Sequence, residues 1–401
     1  MTDSASLNTG ALADAAAAQL ASAVGDDALP GVIAGVTTGV ETVFLDSVGP
    51  RTAGESEPLA PDAVLALYSI TKSLTATLAL QLAESGELDL DAPAQVYQPE
   101  LAEVAVLDGF DSDGTARLRA PTSAPTTRQL LTHTAGFGYA FFDEQQQRVA
   151  AARELPDIAT ARRESLDTPL LFDPGTRWEY GINIDWAGLV IEGATGARLG
   201  EVMTQRLLAP LGMTATTFAR GEAEIARAAT IHARMPDATL KPLRRPTTPD
   251  SPPVDMGGQG VYSTVDDFLR FIRFWLNDGR TDSGEQLLSP ETVRAAARNQ
   301  LGDLTVTALP GVNPRLTHDI ELLPGIPKGW SLIAMTNEAD APSGRAAGSL
   351  AWAGLANLYF WIDRHNSLGG IWATQLFPFG DPLALAAASD FEAAVYRATL
   401  R

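Results

Sequence analysis

Ser69-Ile70-Thr71-Lys72 is where residue types and spacing in this chain could do chemistry. Only three lysines occur, Lys72, Lys241 and Lys328, among 29 basic side chains. One of them stands three residues after a serine, inside the long apolar run from Val64 to Leu82. Positions i and i+3 share a helix face, so Lys72 can reach the Ser69 hydroxyl. Burial penalises an unpaired ammonium and drives it toward the neutral, basic amine. A serine beside such an amine is an activated nucleophile. The same residues also fit plainer roles. Ser69 suits a helix N-cap after a strand-like Val64–Tyr68 stretch, and Lys72 suits a side chain that snorkels to water.

Other nucleophile machinery is missing from the sequence. The nucleophile elbow Gly-x-Ser-x-Gly does not occur. His133, His232, His318 and His365 form no His-x-x-x-His pair, which takes support from zinc hydrolysis. The absence of cysteine excludes a thiol nucleophile, disulfides and thiolate zinc sites. Gly257-Gly258-Gln259-Gly260 lacks the Gly-Lys-Ser/Thr ending of a phosphate loop and reads as tight backbone packing or a pocket wall. Tyr180 follows the turn Asp173-Pro174-Gly175. Alone it is an ordinary half-buried aromatic. Beside a cationic lysine, a phenol has its pKa lowered and can shuttle the serine proton.

These side chains need elements to hold them. Ser69–Ser85 reads as a buried central helix stopped by Gly86. Ala11–Val24, Asn183–Gly193, Leu199–Leu207, Asp143–Ser165 and Asp381–Thr399 also read as helices, and Thr127–Thr132 as a short one. Thr264–Asn277 is strongly amphipathic, with Phe268, Phe271, Ile272 and Trp275 on one face. Gly31–Thr38 and Glu41–Val48 predict a β-hairpin across Gly39-Val40. Trp330–Thr336 and Leu350–Ile362 read as β-type. Ala92–Thr127 reads as irregular and Arg244–Pro253 as a surface loop. Parallel βαβ alternation is absent. An antiparallel sheet built from both chain ends, with a helical insertion between them, follows.

The 401 residues exceed a usual single core, and 45% hydrophobic with 19% charged excludes a disordered chain. A net charge of −20 argues against nucleic acid or an anionic membrane surface as partner. No apolar run reaches transmembrane length. Met1-Thr2-Asp3-Ser4 lacks a basic leader, so a cytoplasmic location is expected.

Taken together, the motifs carry a family resemblance. The chain resembles the serine β-lactamase and penicillin-binding superfamily, in its class C branch, and is more closely similar to the family VIII carboxylesterases. Ser69–Lys72 matches the first motif. Leu130-Leu131-Thr132-His133-Thr134-Ala135-Gly136 matches the Leu-Leu-Thr-His-Thr-Ser/Ala-Gly signature, and Gly257–Thr264 another recurrent stretch. Tyr180 falls where the family has its tyrosine, and Trp352-Ala353-Gly354 where the lactamases have Lys-Thr-Gly. The resemblance implies an α+β fold of the serine β-lactamase/DD-peptidase type. An α/β domain (1–72 and 305–401) would carry the sheet and terminal helices, and a mainly helical domain (73–304) would meet it at the active site. It further implies Ser69 as nucleophile and Lys72 and Tyr180 as acid and base. The backbone N–H groups of Ser69 and Leu355 would form an oxyanion hole, Tyr139, Ile182, Trp352 and Gly354 the substrate pocket, and His133 a structural residue. No metal or cofactor is implied.

Two departures matter. The lactamase Tyr-x-Asn has Ile182 in third place, with Asn183 one position late, and the lysine of Lys-Thr-Gly is replaced by Trp352. Both polar anchors for an anionic amide are missing, and a site without its hydrogen-bonding partners discriminates poorly for that substrate. The expectation is a serine carboxylesterase for small neutral esters. A β-lactamase, D-amino-acid peptidase or acyltransferase on the same scaffold, and a non-catalytic binding module, are its rivals.

Overall fold

The alternation from Gly31 to Val48 forms the hairpin that its sequence predicts, β1 (Val32–Thr38) and β2 (Thr42–Val48), paired antiparallel. The structure is a computed structural model and describes residues 8–23, 28–243 and 248–399. Val24, the expected end of the first helix, and the first residues of the Arg244–Pro253 loop lie outside them. Five strands from the C-terminal part complete the sheet: β3 (Lys328–Trp330), β4 (Met335–Asn337), β5 (Leu350–Gly354), β6 (Leu358–Asp363) and β7 (Leu368–Ala373). The order is β2-β1-β7-β6-β5-β4-β3, and every neighbouring pair is antiparallel. Joining of the two chain ends rests on β1 against β7, where Gly35 faces Ile371.

The helices that frame the site are α1 (Thr9–Ser22), α2 (Thr71–Glu84), α3 (Asn183–Thr195), α4 (Val265–Leu276) and α5 (Pro382–Thr399). On one sheet face, Leu12, Ala16 and Leu20 of α1 and Phe391 and Val395 of α5 pack with Trp361 and Trp372. On the other, α4 lies against β1 and β7. Its apolar face is the one read from the sequence, with Phe268, Phe271, Ile272 and Trp275 all buried. Thr264 caps it by accepting from Asp267 N. Cover on both faces explains why every residue of β1, β5 and β7 is buried. Close approach of α4 depends on two glycines. A Cβ at Gly35 would sit 2.6 Å from Leu269 Cδ1, and one at Gly369 2.5 Å from Ile272 Cγ2.

Several expectations need correction. The Asp143–Ser165 helix covers only Glu144–Ala152. Glu154 then turns left-handed at φ +51°, and Pro156, with no N–H to donate, follows. Ala92–Thr127 is not wholly irregular, because Val106–Phe110 and Ala116–Arg119 pair as a hairpin around Gly114. Leu350–Ile362 is two strands turning at Asn357 (φ +60°), and Trp330–Thr336 likewise spans parts of two. Leu199–Leu207 is α-helical only to Met203 before a π-helical turn, Thr204–Leu208. Strand β7 was not expected. Its Gly369-Gly370 pair weakens the β signal, and Gly370 is needed because a Cβ there would meet the Trp361 ring at 2.5 Å. Among the described residues, no helix is long and apolar enough to cross a membrane.

Candidate active site

Ser69 lies in a single 3-10 turn, Tyr68–Ile70, that leads into α2. It is not the helix N-cap; Ile70 holds that place without a side-chain hydrogen bond. Tyr68, immediately before it, is left-handed at φ +48°, a conformation that costs a non-glycine residue about 1–2 kcal/mol and makes the chain turn sharply. The turn leaves Ser69 half-buried at the positive end of a 14-residue helix, where developing negative charge is favoured. Lys72, one turn on, is 1% exposed and does not snorkel.

The Lys72 ammonium is enclosed by polar groups from three other segments. Nζ donates to Ser69 Oγ at 3.1 Å, to Tyr139 OH at 3.0 Å and to the Gly258 carbonyl at 2.7 Å. It also lies over the Tyr180 ring, 4.8 Å from the centroid. Burial pushes Lys72 down to about 7, with the Asp185 carboxylate opposing. Asp185 stands in the first turn of α3. Its Oδ1 accepts from Gly258 N at 2.9 Å and its Oδ2 from Tyr139 OH at 3.3 Å. Burial raises Asp185 from the ordinary aspartate value, and the pull of Lys72 and the Gly258 N–H opposes the rise. A Cβ at Gly258 would fall 2.4 Å from Asp185 Oδ2, so the glycine run is a wall of the site rather than a phosphate loop.

Tyr180 reaches the same serine. Its phenol hydrogen-bonds Ser69 and accepts from Trp352 Nε1 at 3.0 Å. The direction of its shift corrects the sequence reading. Burial raises Tyr180 well above an ordinary tyrosine, and the bonds from Ser69 and Trp352 only partly oppose it. It is a neutral phenol. Trp352 therefore contributes a hydrogen-bond donor as well as an aromatic wall, its ring tilted against Tyr180 at 4.9 Å and edge-on to Trp330 at 4.6 Å between centroids. Gly354 ends β5 against the Ser69 turn, where a Cβ would lie 2.5 Å from the Leu67 carbonyl oxygen. Leu355 follows directly.

His133 is fully buried and left-handed (φ +57°). Its carbonyl accepts from Glu179 N at 2.9 Å, and its Nδ1 faces Asn183 Nδ2 at 3.1 Å. Burial holds it neutral. Asn183, the displaced asparagine, also donates to the Phe137 carbonyl and so turns into the core, away from the serine. Ile182 and Tyr139 line a cavity of about 410 Å³ with Phe141, Leu155, Ile158 and Leu316. No lysine or arginine lines it among the described residues.

Sequence reasoning missed Asp185 and the Gly258 carbonyl, and underrated Tyr139, which bonds the lysine as well as lining the cavity. A lone acid in the apolar stretch Ile184–Ile191 was the available signal. A backbone carbonyl has none.

A serine flanked by a buried lysine and a neutral tyrosine, where a sheet made from both chain ends meets a helical region, is the arrangement of the serine β-lactamase and penicillin-binding superfamily. The chain belongs to the beta-lactamase family, whose model matches residues 14–395. It is 31% identical over 370 residues to a monacolin J acid methylbutanoyltransferase of Aspergillus terreus, covering 87% of this chain and 86% of that protein. It is 32% identical over 377 residues to a lovastatin esterase of Penicillium rubens, covering 88% and 91%. A mutant of simvastatin synthase from Aspergillus terreus superposes with a TM-score of 0.84 at 28% identity, over 98% of both chains. The protein is an enzyme of the serine β-lactamase fold, in its hydrolase and acyltransferase group.

Proposed function

We propose that the protein is a serine carboxylesterase of the family VIII type, acting on small neutral esters through an acyl-enzyme on Ser69. The observation that carries this is the 3.1 Å contact between Ser69 Oγ and a buried Lys72 amine that titrates near neutrality. Lys72 takes the serine proton as Oγ bonds to the ester carbonyl carbon. Tyr180, held neutral, donates its proton to the departing alkoxide and is reprotonated by way of Lys72. The Ser69 and Leu355 N–H groups stabilise the oxyanion. Water then repeats the sequence and releases the acid. Ile182 and Trp352, where a lactamase has amide and carboxylate anchors, and a cavity lined by Glu154 and Asp157 but by no lysine or arginine among the described residues, support a neutral ester rather than an anionic amide.

A second reading is transfer of the acyl group to an alcohol instead of water. It is favoured by the methylbutanoyltransferase relative, while an esterase relative is matched equally well. Turnover of p-nitrophenyl acetate, butyrate and octanoate and of nitrocefin, with and without an added alcohol, tests both. The expected result is a kcat/KM for butyrate about 100-fold or more above that for nitrocefin, with the free acid as main product. Comparable values for the two substrates overturn the esterase reading. An ester product that outruns the acid replaces hydrolysis with transfer.

A further inference from the structure

Four hydrogen bonds close a ring around the Lys72 amine, and none of its other members was recognised from the sequence as serving the lysine. Lys72 Nζ donates to Tyr139 OH (3.0 Å), and Tyr139 OH donates to Asp185 Oδ2 (3.3 Å). Gly258 N donates to Asp185 Oδ1 (2.9 Å), and the Gly258 carbonyl accepts from Lys72 (2.7 Å). Both partners that fix the lysine, apart from Ser69 itself, are thus held by one carboxylate. The ring joins α2, the loop carrying Tyr139, α3 and the 257–260 loop, and Asp185 is 1% exposed.

We infer that Asp185 is a positioning residue for the Ser69 reaction: it aims the Lys72 amine at the serine through Tyr139 and Gly258, and its carboxylate balances the ammonium formed when Lys72 takes the serine proton. This rests on the acyl-enzyme reading above. The proton leaves Ser69 Oγ for the Nζ lone pair as the Oγ–carbonyl carbon bond forms, so one positive charge appears on Lys72. Lys72 is 1% exposed, and a buried charge is costly without a counter-charge. The titratable groups facing Lys72 are Asp185 from α3, Tyr139, Tyr180 and His133. Both phenols and the imidazole are neutral, which leaves Asp185 as the balancing acid. The carboxylate comes this close only because position 258 has no side chain, since a Cβ there would lie 2.4 Å from Asp185 Oδ2.

The test is the rate of Ser69 labelling by a fluorophosphonate, measured against pH for the wild type and Asp185→Asn. The amide keeps an acceptor for the Gly258 N–H and removes the charge. Without an opposite charge close by, the lysine holds its proton less firmly. The acid limb of labelling is expected to move to lower pH by about one unit or more, and the plateau to fall roughly tenfold. A fallen plateau with an unmoved limb means a merely structural role and overturns the proposal, as does an unchanged profile. If Asp185→Asn does not fold, Asp185→Ser, which keeps a hydroxyl acceptor, carries the same two outcomes. Labelling does not require that esters be substrates. A wild type that labels at Ser69 but turns over no ester sinks the esterase reading and leaves the Asp185 result standing.

Discussion

Lys72 is 1% exposed, yet its amine touches three oxygen atoms, one of them the half-buried Ser69 hydroxyl. Desolvation, the larger effect, brings the amine to about 7, where the neutral form is available as a base. The sign of the pH dependence follows. The neutral amine accepts the serine proton, so ester turnover is present above about 7 and lost as pH falls through it. A kcat/KM profile for p-nitrophenyl butyrate checks this, and an ascending limb set instead at the carboxylate range would remove Lys72 from the role of base. Tyr180 does not compete for that role, since burial raises its phenol and keeps it a proton donor. Ser69 and Lys72 were legible because side-chain chemistry at a fixed spacing leaves a mark in sequence, and Tyr180 and Trp352 through the family resemblance. Asp185 was not, because an acid in the first turn of a helix already has an ordinary explanation in the helix dipole.

At the scale of elements, α4 was legible almost to the residue. Its period of 3.6 runs unbroken from a threonine cap to Asn277, and no tertiary contact contradicts it. Strand β7 was illegible for the opposite reason: Gly369 and Gly370 are chosen by what packs on them, not by β propensity. The same packing makes a prediction. Gly369→Ala places a methyl 2.5 Å from Ile272 Cγ2 and 2.8 Å from the Trp361 carbonyl oxygen. It is expected to push α4 off the sheet at a cost of about 1–3 kcal/mol, seen as a lower thermal midpoint by circular dichroism. An unchanged midpoint would mean that the helix has room to spare. The long helix read over Asp143–Ser165 failed where local polarity was taken for helicity; Pro156 and the cavity wall it builds decide that segment.

Across the whole molecule, the site exists only where distant parts of the chain meet. Ser69 comes from the turn that leads into α2, Lys72 from α2 itself, Asp185 from α3, Tyr139 and Tyr180 from loops beside it, and Trp352 from the sheet that both chain ends complete. The sequence could order these motifs, but the ring through Gly258 depends on contacts across 186 positions and is visible only in the fold. The net charge of −20 acts at this scale as well, repelling anionic substrates at long range. The central claim is that an acyl group passes through Ser69. It is tested most directly by acid-quenching the enzyme during turnover of p-nitrophenyl butyrate and mapping the adduct by mass spectrometry. The expected result is a single butyryl group on Ser69 in the wild type, with neither adduct nor turnover in Ser69→Ala. Hydrolysis that survives in Ser69→Ala, or an adduct on another residue, would contradict the account.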